Sequence, residues 1–176
     1  MITALFDITD DTDDDAARTA EHLAGSLASL IPAVVEGLVS DAIVRDMSRS
    51  DAIRDVAEAA GAMLVAGSPA EAIAAARGSW LLLLEPGARL APDWAEPVRR
   101  FIESGAGKTA HLSVAGEGGF FAGLFARPRA LRRGLLIATP AAAAIAGTVQ
   151  SFEALARGRA SRRIGAVLLP AGARPD

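Results

Sequence analysis

An α/β fold, with a mainly parallel sheet and helices on both faces, is predicted by three features of this 176-residue sequence. Short apolar runs of strand length alternate with longer segments whose apolar residues recur at helical spacing, which is the rhythm of repeated βαβ units. The run Trp80 to Leu84 is apolar throughout, as a central strand buried on both faces requires, and it lies between Gly78 and the turn signal Pro86-Gly87. Acids follow the first, second and fourth of these runs, at the carboxyl ends where open α/β sheets gather their ligands. The length fits one domain, expected over residues 1–170, with a short tail at 171–176.

Taken in order, Ile2 to Ile8 reads as a buried first strand running into the acids Asp10, Asp11, Asp13, Asp14 and Asp15. Those carboxylates suit the positive end of a helix from Ala16 to about Leu30, whose apolar face is Ala20, Leu23, Leu27 and Leu30. Ala42 to Val44 predicts a second strand, and Ser50 with Asp51 opens a helix that closes at Gly61. Met63 to Ala66 predicts a third strand, and Pro69 suits the first turn of a helix running to Arg77. After the strand Trp80 to Leu84, a helix is expected from about Asp93 to Glu103. Strands are then expected at His111 to Val114, Phe120 to Phe125 and Leu135 to Ala138. Pro140 to Ala146 and Phe152 to Arg159 read as helices, and Ile164 to Leu169 as a last strand.

Composition narrows the function. The chain is 51% hydrophobic and 22% charged with a net charge of -3, too mild a balance for a nucleic-acid-binding surface. Six Phe, two Trp and no Tyr leave few aromatic platforms, so the core must rest on Leu, Val, Ile and Ala. The absence of cysteine removes thiolate catalysis, disulfides and cysteine-ligated zinc. The acidic start is the reverse of a secretory signal, and no apolar run reaches the length of a membrane span. A cytoplasmic protein is therefore expected, any membrane contact being peripheral.

Three strings carry a resemblance to a known family. Asp46-Met47-Ser48-Arg49-Ser50-Asp51 is similar to an Asp-Gly-Gly-Ser-Thr-Asp motif, and Ala76 to Leu84 to an Ala-Arg-Gly-Asp-Trp strand; Arg162-Arg163-Ile164-Gly165, followed by Leu168-Leu169-Pro170, completes the set in order. Together they resemble the bacterial family-two glycosyltransferases, and the resemblance runs over most of the chain. It implies a GT-A-like sheet and a nucleoside-diphosphate sugar as ligand. It also implies that Asp46 contacts the nucleotide base, although capping of the following turn explains the same residue. The family's Pro-Thr-x-Asn-Glu falls on Asp7 to Asp11, which makes Asp11 a base or ribose contact.

Transfer from a sugar nucleotide needs a cation to absorb charge on the diphosphate and a carboxylate to deprotonate the acceptor. The family's Asp-x-Asp falls on Glu85-Pro86-Gly87, so the second acid is a glycine, and Glu85 alone is left for magnesium or manganese. Its Glu-Asp pair falls on Glu153-Ala154, so the expected base is a methyl group, with Glu153 the only neighbouring carboxylate in the pair. Its acceptor-side Asp-Gln-Gly falls on Arg132-Arg133-Gly134. These departures imply either that the catalytic groups have moved or that this is a degenerate member that binds without turning over, the second being the favoured reading. Arg127, Arg129, Arg132 and Arg133 either pair with a diphosphate in place of a metal or form a solvated surface. The alternative function is a silent interaction protein built on the same fold, with homodimerisation through the Phe and Arg segment as one form of it.

Other signals carry less. Gly105 to Thr109 resembles the end of a phosphate-binding loop but follows a helix rather than a strand, so it reads as a helix stop. His22 and His111 lack metal-ligand spacing and are expected to be structural or exposed. The serines lack the setting of a hydrolase nucleophile.

Overall fold

The computed structural model describes residues 1–9, 13–115, 130–157, 159 and 162–169. The expected strand Phe120 to Phe125, the tail, Asp11, Arg127 and Arg129 lie outside the described residues. The first half alternates as the sequence predicts: β1 (Ile2–Ile8), α1 (Asp13–Ala28), α2 (Ile31–Val35), β2 (Val39–Asp46), α3 (Asp51–Ala59), β3 (Met63–Val65), α4 (Pro69–Ala75) and β4 (Trp80–Leu84). The second half holds β5 (Arg89–Leu90), α5 (Ala95–Ser104), β6 (Thr109–Val114), a 3-10 turn (Ala130–Arg133), β7 (Leu135–Ala138), α6 (Thr139–Ala146), α7 (Phe152–Ala156) and β8 (Arg162–Leu169).

The eight strands form one sheet in the order β3-β2-β1-β4-β7-β6-β8-β5. Strands β3, β2, β1 and β4 run parallel, as do β6 and β8, while β7 opposes β4 and β6 and β5 opposes β8. This mixed, mostly parallel sheet is the α/β class expected from the sequence. Because strand side chains alternate between faces, each strand feeds two cores. Ile2, Ala4, Phe6 and Ile8 of β1 join Leu82 and Leu84 of β4 beneath α1, α3 and α5, with Leu23, Ile53 and Val98. Leu5, Leu81 and Leu83 point to the other core with Leu135, Ile73, Ala142 and Phe152 beneath α4, α6 and α7. The four leucines of β4 are wholly buried, as a central strand requires.

Two differences from the sequence-based expectation have local causes, and one expected helix start is reinforced. The helix expected to reach Leu30 ends at Ala28, and a separate short helix begins at Ile31 with Pro32 in its first turn, where its missing N–H costs nothing. β2 is longer than Ala42 to Val44 because polar residues are drawn into the sheet: Ser40 Oγ donates to Ile2 O at 3.1 Å and Thr3 Oγ1 donates to Asp41 Oδ1 at 2.6 Å. α4 begins with a full capping box, in which Ser68 Oγ accepts from Glu71 N and the Glu71 carboxylate accepts from Ser68 N.

The two halves meet at Gly78, where β4 enters against β1. A methyl group built there would stand 2.5 Å from Thr3 N and 2.7 Å from Ile2 C, so only glycine allows this approach. Its N–H donates to Thr3 Oγ1 at 2.8 Å, and its carbonyl accepts from Thr139 Oγ1 at 2.7 Å. The residue expected to stop a helix also welds three elements.

Candidate functional site

A cleft of about 610 Å³ opens at the carboxyl ends of β1 and β4, lined by Asp7, Ile8, Thr9, Thr19, His22, Glu85, Pro86, Leu131, Ser151 and Glu153. Its floor is the sheet edge, one wall is α1, and the opposite wall is the 3-10 turn with the start of α7. This is the location that parallel α/β geometry favours for a ligand.

The α1 wall is fixed by Ser26 in its buried stripe and by half-buried Ser29 just beyond its end. Ser26 Oγ donates to His22 O at 3.1 Å and accepts from Gly87 N at 2.8 Å, while Ser29 Oγ accepts from Leu90 N at 3.1 Å. These bonds tie α1 to the chain leaving β4 and hold His22 and Glu85 on one cleft. Pro86 and Gly87 occupy the centre of a turn closed by Ala88 N donating to Glu85 O at 3.1 Å. Gly87 has φ 92°, the value that a Pro-Gly turn of type II needs. It is also buried. Gly87, where the resemblance expects the second acid of an Asp-x-Asp motif, is therefore a buried turn residue that a side chain would strain.

The opposite wall is built around two carboxylates on the same cleft. Asp7 Oδ2 accepts from Phe152 N at 2.9 Å, and Ser151 Oγ accepts from Ala154 N at 3.1 Å, so the first turn of α7 is held from both sides. Glu153 Oε1 and Oε2 accept from Ala130 N at 2.7 Å and Leu131 N at 3.0 Å, fastening α7 to the 3-10 turn. Arg157 adds an ion pair to Glu153 at 3.6 Å. A carboxylate with both oxygens already engaged by backbone amides is poorly placed to reach an acceptor hydroxyl and take its proton as well.

Asp7 carries a shifted carboxyl. Burial pushes its carboxyl above the usual aspartate value, against the opposing pull of the Phe152 amide and of the Arg45 guanidinium. Arg45 stands beside it on β2, where the strand register pairs the two residues. Arg45 also donates to Gly67 O and Gln150 O and lies 5.8 Å from the centre of the Phe152 ring.

The sequence-predicted residues divide. Glu85 and Glu153 line the cleft. Asp46 pairs with Ile8 at the end of the neighbouring strand but is not among the lining residues. It is buried, and its Oδ1 accepts from Ser48 N at 2.9 Å and from Ser48 Oγ at 2.6 Å, the turn-capping geometry weighed as its alternative role. Arg132 and Arg133 are exposed on the 3-10 turn, which contributes Leu131 to the cleft but neither arginine. His22, expected to be structural or exposed, lines the cleft together with Thr19, Asp7 and Ser151. Ser26, breaking the apolar stripe of α1, and Asp7, charged at the end of an apolar strand, were the available signals for these neighbours. Among the described residues no group of three or more His, Asp or Glu comes together to hold a cation, and Glu85 with its glycine neighbour does not supply such a set.

No family model matches the sequence, and no curated protein matches it significantly. Solved structures do match the fold. S. aureus TarS, residues 1–349, superposes with a TM-score of 0.59 at 12% identity, over 97% of this chain and 60% of that one. Mannosyl-3-phosphoglycerate synthase from Rubrobacter xylanophilus gives 0.59 at 13% identity, over 99% of this chain and 68% of that one. Glucosyl-3-phosphoglycerate synthase from Mycobacterium tuberculosis, in complex with Mn2+, UDP and glucosyl-3-phosphoglycerate, gives 0.55 at 18% identity, over 99% and 73%. These are GT-A glycosyltransferases, and the fold of this chain is the GT-A glycosyltransferase fold. The chain spans 60% of the length of the TarS structure. Among the described residues no helix is long and apolar enough to cross a membrane.

Proposed function

We propose that this chain binds a nucleoside-diphosphate sugar in the cleft at the carboxyl ends of β1 and β4, and that sugar transfer is impaired or lost. The observation that carries the proposal is the position of Glu85, Asp7 and His22 on an open cleft at the ligand edge of a GT-A fold. Glu85 accepts hydrogen bonds from ribose or sugar hydroxyls, and Asp11 makes a second contact with the nucleoside. Asp46 acts through the Ser48 turn that it caps at the neighbouring strand end. Arg132 and Arg133 stand on the turn bordering the cleft, where their guanidinium groups pair with the diphosphate.

Impaired transfer follows from the groups at the two chemical positions. Gly87 supplies no carboxylate for magnesium or manganese, and Ala154 supplies no base. Glu153 is engaged as the cap of the 3-10 turn. Nucleotide retention is accordingly assigned to protein hydrogen bonds and arginines. Such a protein holds a sugar nucleotide without consuming it.

Calorimetric titration with UDP, GDP and their sugars, with and without Mn2+, tests this. Saturable binding is expected for the wild type, weakened about tenfold or more by Glu85→Ala, on the scale of one lost charged hydrogen bond. An Asp46→Ala variant that stays folded but binds as wild type would confine Asp46 to its structural role. No detectable heat at millimolar ligand would overturn the proposal.

A further inference from the structure

At the amino-terminal edge of the sheet, opposite the cleft, the ends of α1, α2 and α3 frame an apolar groove of about 580 Å³. Leu27, Ala28, Ile31, Val34, Val35, Val56 and Ala60 are among its lining residues. Three of them stand out in solvent: Ile31 is 59% exposed, Val34 49% and Val35 83%. Scattered apolar residues on a surface are ordinary, but three branched aliphatic side chains beside a concave apolar floor form a contiguous patch.

The segments that line the groove carry one sign of charge, with Arg77, whose N–H donates to Asp41 of the lining, and Arg99 as cations at its border. Residues 19–44 and 55–76, which supply every lining residue, contain no Lys or Arg. Exposed Glu21, Glu36, Asp55 and Glu58 lie in them, with Glu36 partly offset by Arg99 at 3.2 Å. The three helices also end here, and none has a basic residue in its last turn. Their carbonyl ends add partial negative charge that no cation of their own answers.

We propose that this groove is a docking site for a partner's amphipathic helix, whose aliphatic face covers Ile31, Val34 and Val35 and whose Lys or Arg flanks meet the acidic rim and helix ends. Helix-in-groove recognition uses such a surface, apolar contacts giving affinity and the rim selecting the partner. A second copy of this chain is the poorer occupant, because two acidic rims would face each other. The site is independent of the cleft and of nucleotide binding.

Fluorescence anisotropy with a labelled leucine–lysine amphipathic helical peptide, and with the leucine–glutamate peptide of the same pattern, tests the proposal on the full chain. Saturable binding of the basic peptide is expected, weakened about tenfold or more by Val34→Asn/Val35→Asn, changes at exposed positions that leave the circular dichroism spectrum intact. Glu21→Gln/Glu58→Gln should weaken it severalfold and flatten its salt dependence. Equal binding of the acidic peptide, or basic-peptide binding indifferent to Val34 and Val35, would overturn the proposal. So would a dimer in light scattering that dissociates on Val35→Asn, which makes a second copy the occupant.

Discussion

Arg45 Nη2 lies 2.6 Å from Asp7 Oδ1 across two paired strands, with the arginine side chain 4% and the aspartate side chain 7% exposed. The approach makes an ion pair without the alignment of a hydrogen bond, so Asp7 Oδ1 and Arg45 Nε have no hydrogen-bond partner. Removing two charges from water costs several kcal/mol per ion, and their attraction offsets that only when geometry and further bonds are good. The pair is retained where four segments meet: β1, β2, the loop before α4 and the start of α7. It is a clamp on one wall of the cleft rather than a source of net stability.

A double-mutant cycle tests this directly. Arg45→Met leaves Asp7 buried with no counter-ion and should cost roughly 3–5 kcal/mol, the usual penalty for breaking a buried pair from one side. Asp7→Asn keeps an acceptor for Phe152 N but strands the guanidinium. The combined Asp7→Asn/Arg45→Met variant should be more stable than Arg45→Met alone, by about 2 kcal/mol in urea denaturation. A double variant no better than the single would mean that the arginine's carbonyl bonds, not the ion pair, hold the wall.

Titration of Asp7 gives a pH signature with a defined sign. Its folded carboxyl sits above its ordinary value of 3.8, so between that value and the raised one the folded chain binds more protons than the unfolded chain. Asp7 therefore contributes a loss of stability as pH rises from about 4 through the raised value, opposite to the usual effect of a salt-bridged carboxylate. In urea midpoints measured across this window, Asp7→Asn should remove that component. A wild-type minus variant difference that grows in the wild type's favour with rising pH would show that the arginine outweighs burial.

Much of the fold was legible because its signals are local. The all-leucine strand β4, the Gly and Pro punctuation and the helical spacing of Leu23, Leu27 and Leu30 each report on neighbours in sequence. Glu85 was legible for the same reason, since a strand end names its own position. Asp7 and Arg45 were not, because their meaning comes from a register that sets them side by side across 38 residues of chain. The two-residue strand β5 likewise forms through pairing with Leu168 and Leu169 far along the chain, which no local pattern announces. Glu153 was singled out in sequence and lines the cleft, but its attachment to Ala130 and Leu131 depends on a turn more than twenty residues earlier.

Gly78 offers the sharpest packing test. The methyl group of Gly78→Ala would meet backbone atoms of Ile2 and Thr3, which cannot swing away as a flexible side chain can. Relief requires parting β1 from β4 in the centre of the sheet, so a loss of at least about 3 kcal/mol is expected. Thermal denaturation should show it as a large drop in Tm. Thr3→Val, which keeps the volume but removes the oxygen that accepts from Gly78 N and donates to Asp41 Oδ1, should cost about 2 kcal/mol, and equal effects would shift the explanation from the close approach to those hydrogen bonds.

Glu153 separates a structural carboxylate from a chemical one. If its work is to hold the amides of Ala130 and Leu131, Glu153→Ala leaves two donors without their charged acceptor and should destabilise the chain by about 2 kcal/mol. Amide hydrogen exchange should then accelerate at Ala130 and Leu131 more than in β4. Glu153→Gln, which can still accept one bond, should fall between the two. The distinction matters for function because Leu131 and Glu153 both line the cleft: a loosened turn should weaken ligand binding by moving the wall. Unchanged exchange in Glu153→Ala, combined with lost transferase activity in a wild type found to be active, would assign Glu153 to proton transfer and refute its role as a cap.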